Sequence, residues 1–360
     1  MLTTILIVFF SLIFLIVAHE FGHFILAKKF GVDVEEFGIG YPPRIFGKKI
    51  GQTFYSINLL PFGAFVKVRG EMGEVSDSKS FAGKTILKRF LIILGGVLIF
   101  WMISWILISA SMKLGTPVSI PDEEEVSQSK VQIIAIAKNS PAEKEGLKTG
   151  DFILKIKTKE AEIGNITEVK EVQDFTNSNL GKEILLTIER GREIFEKKIV
   201  PRENPPEGEG PMGIVLTRIT LLSFPWYRVP IEGLKATFNL TLSILKSIPK
   251  LIFEILSKRK IPAGVEIVGP VGIFSLSSQM VSLGLNYYLR FLALISIYLA
   301  VFNILPIPAL DGGKILFLGI EFIRKKPVSP KIEQKVTAVF FAFLVFLMIL
   351  VTIKDILKFF

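Results

Sequence analysis

Cysteine is absent from the 360 residues and histidine occurs only twice. The first absence excludes disulfides, thiolate nucleophiles and cysteine-ligated metal, so a bound transition metal would need nitrogen and oxygen ligands alone. It leaves the redox compartment undetermined. The scarcity of histidine removes any scattered imidazole background from which a pair could arise by accident. Charge is also thin, at 21% of residues against 50% hydrophobic, and mean hydropathy is +0.52, high for a soluble domain. A polytopic membrane protein is therefore the first expectation. The net charge of +10 comes from Lys and Arg clustered beside apolar runs, as on cytoplasmic flanks. No basic-aromatic array suggests a nucleic-acid partner.

What is there is concentrated in Val17-Ala18-His19-Glu20-Phe21-Gly22-His23-Phe24, near the end of an apolar run that opens at Met1. Helical spacing puts His19 and His23 on one face, one turn apart, where their imidazoles can share a cation. Glu20 is adjacent but off that axis. A carboxylate so placed suits general-base work on water beside a metal, the arrangement of an H-E-x-x-H zinc protease. The bland alternative makes the histidines hydrogen-bonded core groups and Glu20 the wet end of a membrane helix. Against it, unpaired ionisable groups after so long an uncharged run are costly in lipid and usually functional.

Met1 to about Ala27 is long enough to cross a bilayer, which takes roughly 20 residues. A cleaved signal peptide is the competing reading, but there is no basic leading region and no small-residue cleavage site. Basic residues from Lys28 to Arg89 place the following segment on the cytoplasmic side, with His19 in the inner part of the membrane. Gly38 to Arg44 is turn-rich, and Thr53 to Arg69 has the β-branched and aromatic character of a hairpin. Its apolar content suggests partial burial at membrane depth, with a solvated cytoplasmic hairpin as the alternative. Ile86 to Met112 is the second span.

Pro117 to Glu125 changes the composition to proline and acid, and an inserted domain is expected to about Pro211. Strands are expected at Val131–Ala137 and from Asp151, a helix over residues 168 to 179, and a hairpin of Ile184–Ile188 with Ile194–Val200 about Gly191. Ser140-Pro141-Ala142, Gly146-Leu147 and Gly150-Asp151-Phe152-Ile153 form the pattern S-P-A-x-x-x-G-L-x-x-G-D-x-I. That pattern resembles a bacterial PDZ domain, and the resemblance implies a groove that captures an extended peptide by strand addition. A spacer that only sizes what approaches the membrane is the alternative. Residues 201 to 211 are a proline-rich linker, and Leu221 to Leu256 is expected to lie as amphipathic helix in the outer interface.

Residues 287 to 323 are too long for one straight span and contain Asn303-Ile304-Leu305-Pro306-Ile307-Pro308-Ala309-Leu310-Asp311-Gly312-Gly313. Two prolines and a glycine pair break a helix inside the bilayer, which normally marks a site. Catalytic zinc needs a third protein ligand. With no third histidine and no cysteine it must be a carboxylate, and Asp311 is the acid deep in a late apolar run, at a depth comparable to that of His19 and His23. Ile332 to Phe360 is the last span.

Together, His19-Glu20-Phe21-Gly22-His23 and Asn303-x-x-Pro306-x-Pro308-x-Leu310-Asp311-Gly312-Gly313 resemble the site-2 protease family of intramembrane zinc metalloproteases. The single PDZ-like insertion is similar to the bacterial regulator-of-sigma protease branch. The resemblance implies that Glu20 is general base, that His19, His23 and Asp311 hold Zn2+, and that Asn303 and Pro306 help engage substrate. Expected partners are single-span membrane substrates, among them anti-sigma factors and signal-peptide remnants, together with membrane lipid. The expected location is the bacterial inner membrane, with the PDZ-like domain extracytoplasmic and the site near the cytoplasmic side. One departure is that Gly95-Gly96-Val97-Leu98-Ile99-Phe100 stands where the second span of that family often carries G-P-x-x-N-F.

The expected fold is then a polytopic α-helical membrane protein of about four transmembrane helices, with an inserted α+β PDZ-like domain and a membrane-associated β-hairpin. Its parts are residues 1–113, two spans with the β-element; 114–211, the PDZ-like domain and linker; 212–285, interfacial helices; and 286–360, the third and fourth spans. A catalytically inactive membrane PDZ scaffold is the alternative from another class. A secondary transporter is disfavoured because the hydropathy shows no internal repeat.

Overall fold

The computed structural model describes residues 2–71, 77–124, 129–191, 193–258 and 268–357. The last two residues of the basic run at 258–260 therefore lie outside the described residues. Helix α1, Leu2–Lys29, rises roughly 42 Å at 1.5 Å per residue, more than the ~30 Å hydrocarbon core. It leads into strands β1, Val34–Ile50, and β2, Thr53–Val68, joined at Gly51-Gln52. Helix α2, Ile86–Leu114, follows. Next come β3 (Thr116–Ile120), β4 (Lys130–Ile136), α3 (Pro141–Lys144), β5 (Phe152–Lys157), β6 (Glu162–Gly164) and α4 (Val169–Asn177). Strands β7 (Ile184–Arg190), β8 (Glu193–Ile199) and β9 (Ile214–Leu222) precede helices α5 (Val229–Lys258), α6 (Pro270–Leu283), α7 (Leu285–Ile304), α8 (Asp311–Arg324) and α9 (Pro330–Leu357). Among the described residues four helices, α1, α2, α7 and α9, are long and apolar enough to cross a membrane.

The chain divides into two compact units. The first comprises Met1–Ser109, Pro230–Ser278 and Arg290–Phe360. Here α1 and α2 meet backbone to backbone, because a Cβ built on Gly95 would stand 2.6 Å from the Gly22 carbonyl oxygen, and one on Gly22 would overlap Gly95 in turn. Small residues at a crossing let apolar helices approach this closely. The hairpin is longer than the expected 53–69, since its first strand takes in Gly38–Arg44. Gly40, at φ +78, and the Pro42–Pro43 bond bend that stretch without ending the pairing. Residues Glu36 to Ile39 pair twice with β2, facing Lys67–Ala64 and Phe54–Ile57, so two segments make a sheet wider than two. Phe24 of α1 packs edge-on against Phe37, 5.5 Å between centroids, and seats the hairpin on the helix.

Helix α5 runs antiparallel to α2 over its first turns. The Trp105 indole donates to the Pro230 carbonyl at 2.8 Å and the Trp101 indole to the Thr241 hydroxyl at 3.2 Å. Within residues 212–285, read from sequence as interfacial helix, Ile214–Leu222 is instead a strand. Its alternating residues supply the partner that β4 needs. The third membrane region is two helices, α7 and α8, and the 14 residues of α8 reach roughly 21 Å, short of a crossing. At the far end of α9, the buried Asp355 accepts hydrogen bonds from the Gly269 and Gly272 amides, 2.9 and 2.8 Å, at the start of α6.

The second unit comprises Ala110–Val229 and Gln279–Leu289. Its sheet has the order β3-β9-β4-β5-β7-β8, with β6 on β5. Val131, Ile133, Leu186 and Ile188 alternate inward from β4 and β7, and a register shift in β5 brings Ile153 and Ile156, three apart, into the same core. Ser140 caps α3 by accepting from the Glu143 amide at 3.2 Å, with Pro141 at the first helical turn, which accounts for Ser-Pro-Ala at this point. The fully buried Asp151 accepts from Arg190 at 2.6 and 2.7 Å and raises that guanidinium above its ordinary value.

Candidate metal centre

His19 and His23 are on the last turns of α1, and their rings stand 4.7 Å apart at 86°. The Nδ1 of His23 lies 3.0 Å from the Ile92 carbonyl on α2. A carbonyl only accepts, so the ring proton belongs on Nδ1 and the Nε2 lone pair is left for another partner. His19 stacks on Phe100 at 4.6 Å and 26°. Its Nδ1 is 3.5 Å from the Glu20 carboxylate.

The third group arrives from the other end of the chain. Pro306 and Pro308 offer no amide hydrogen to continue α7, and Ala309 at φ 85 turns the backbone. The loop then folds onto the start of α8. A Cβ on Gly313 would stand 2.6 Å from Pro308 Cα, and one on Gly312 would overlap the Leu305 carbonyl. Only the glycine pair permits this fold-back, which makes Asp311 the first residue of α8, where the helix dipole favours a carboxylate. Arg89 of α2 holds the far end of α8 through a two-point pair with Glu321, at 2.9 and 2.5 Å.

These constraints bring Asp311 Oδ2 to 3.0 Å from His19 Nε2 and 3.2 Å from His23 Nε2, across 292 positions of sequence. The candidate ligand atoms of His19, His23 and Asp311 lie within 4.8 Å of one another. Glu20 lines the cavity of about 90 Å³ at this cluster, with Glu71 and Lys314. Two imidazoles and one carboxylate with an open side are the donor set that suits catalytic zinc. The space is shaped for it, because a Cβ on Gly96 would run into Nε2 of both histidines. Glycine there keeps α2 clear of the lone pairs.

Asn303 and Pro306 do not line this cavity. The Asn303 amide donates to the Leu299 carbonyl of its own helix at 2.9 Å, and Pro306 is exposed in the loop. Sequence reasoning missed Gly96, Glu71 and Lys314. Lys314 carried a signal, the one charge between Asp311 and Glu321 in an otherwise apolar stretch of helix. Glu71 carried none.

The model of peptidase family M50 matches residues 7–347. A candidate zinc metalloprotease of Clostridium perfringens is 36% identical over 354 residues, 95% of each chain. Another from Clostridium acetobutylicum is 32% identical over 345 residues, 95% of this chain and 94% of its own. The regulator of sigma-W protease RasP of Bacillus subtilis is 26% identical over 445 aligned residues, 99% of this chain and 98% of its own.

Proposed function

The chain belongs to peptidase family M50 and is a zinc metalloprotease of the site-2 type, and from that premise we propose that its substrates are single-span membrane proteins, cut within the bilayer. Anti-sigma factors and signal-peptide remnants, already trimmed of their outer domains, are the substrates this reading favours. The observation that carries it is the convergence of His19 Nε2, His23 Nε2 and Asp311 Oδ2 beside the Glu20 carboxylate.

In this reading His19, His23 and Asp311 would hold zinc, three protein ligands being the set that a catalytic zinc takes. Bound there, zinc supplies a Lewis acid that polarises a carbonyl and lowers the pKa of water. Glu20 takes the proton from the attacking water and delivers it to the leaving amine. The Ile92 carbonyl fixes the His23 ring, and Phe100 supports the flat face of His19.

A transmembrane substrate arrives as helix, with its carbonyls in internal hydrogen bonds, and must open before attack. The hairpin of β1 and β2 provides strand edges that could pair with the opened segment. In the proposed roles Asn303 and Pro306 help to hold that segment. The inserted sheet domain screens by size, as a PDZ-like module would. An inactive scaffold is not favoured by any observation at the site.

The test is to incubate the detergent-purified chain with single-span candidates, with and without a zinc chelator, and to map the cut by mass. A cut inside the apolar segment that disappears with chelator and returns with zinc is expected. Cleavage indifferent to chelator would overturn the reading.

A further inference from the structure

Lys314 follows Asp311 by three residues on α8, so both project from one face of the helix. Among the described residues it is the one lysine or arginine lining the cavity at the histidines, which also holds three acids, Glu20, Glu71 and Asp311. Its ammonium is paired with Glu71, which stands just beyond β2. The pair forms part of the wall between this cavity and a second one of about 370 Å³. On that further side, Arg89 is already engaged by Glu321. Lys314 is therefore within electrostatic reach of Glu71, Asp311 and Glu20 but is held by the first.

That choice of partner matters to the metal. A lysine is a compact charge on a flexible stem, able to swing between neighbouring carboxylates. On Asp311 it would occupy the oxygen lone pairs that a cation needs, and on Glu20 it would tie up the proposed base. With Glu71 in place, the three carboxylates of the cavity would be balanced by one ammonium and one divalent ion, a neutral set. We propose that Glu71 is a positioning residue that holds Lys314 away from Asp311 and Glu20, leaving the Asp311 carboxylate to the metal. This rests on the reading of His19, His23 and Asp311 as zinc ligands.

The experiment measures zinc affinity of the full-length chain in detergent by competition with a chromophoric chelator, apart from any proteolysis. Glu71→Gln frees the ammonium and is expected to weaken zinc binding about 10- to 100-fold, the usual cost of losing an outer-sphere partner. Lys314→Met should bind zinc as tightly as the native chain or more so. The double variant E71Q/K314M should return to within about threefold of native, since no ammonium remains to compete. A pair that merely ties α8 to the hairpin predicts otherwise, with both single variants weakened alike and no recovery in the double. That pattern, or native affinity in E71Q, overturns the proposal. Should E71Q not survive solubilisation, E71A takes its place, and recovery on adding K314M decides in the same way. A native chain that binds no zinc, or one whose binding is untouched by His23→Ala, would instead remove the proposed function beneath it.

Discussion

At the scale of single residues, the proposed division of labour separates metal binding from proton transfer. Glu20→Gln is expected to cut turnover by about 100- to 10,000-fold, the usual worth of a positioned general base, while zinc content by elemental analysis stays at one per chain. Undiminished turnover would remove Glu20 from the mechanism. His23→Ala should lose the zinc itself. Gly96→Ala is the sharper test of the geometry, because a single methyl group would meet Nε2 of both histidines. Zinc affinity should fall in that variant with the fold intact by circular dichroism, and unchanged affinity would mean that α2 does not shape the site. The histidine pair was legible in sequence because its background was empty. Gly96 was not, since its role is to leave space for residues on another helix, and nothing in the order of residues says which helices touch.

At the scale of elements, the site depends on how α8 is held. The glycine pair fixes its start and the Arg89–Glu321 pair its end, with both charged side chains largely buried at 12% and 16% exposure. Removing one partner leaves an uncompensated charge, so Glu321→Ala is expected to cost about 3 kcal/mol and to lower the thermal transition of the solubilised chain. A transition within a degree of native would place the pair among the neutral contacts. In the sheet unit, Asp151→Ala strands Arg190 and should speed amide hydrogen exchange in β5 and β7 while leaving α1 and α2 unchanged. Protection equal to native in those strands would count against that role. The break between α7 and α8 was legible from its prolines and glycines. Strand β9 was not: Ile214–Leu222 alternates as a strand should, but it follows a proline-rich stretch that reads as a boundary, and its partners in β3 and β4 lie 78 or more positions upstream.

At the scale of the whole molecule, the four spans were legible because bilayer thickness sets the length of an apolar run. The orientation proposed from the basic flanks can be measured directly in a chain without cysteine. A single cysteine replacing Glu160 should react with a membrane-impermeant thiol reagent on intact cells, and one replacing Lys326 only after the membrane is opened. The reverse pattern would invert the topology. The distance in sequence between the imidazoles and Asp311 has a further consequence, one of timing. The ribosome delivers the helix bearing the histidines first, and at ~5–20 residues per second the carboxylate 292 positions later follows only after about 15–60 s. Under the proposed ligand set the nascent chain holds two of its three metal ligands throughout that interval, so hydrolytic power would arrive only with α8, and a product cut short before Asp311 would stay harmless to its neighbours.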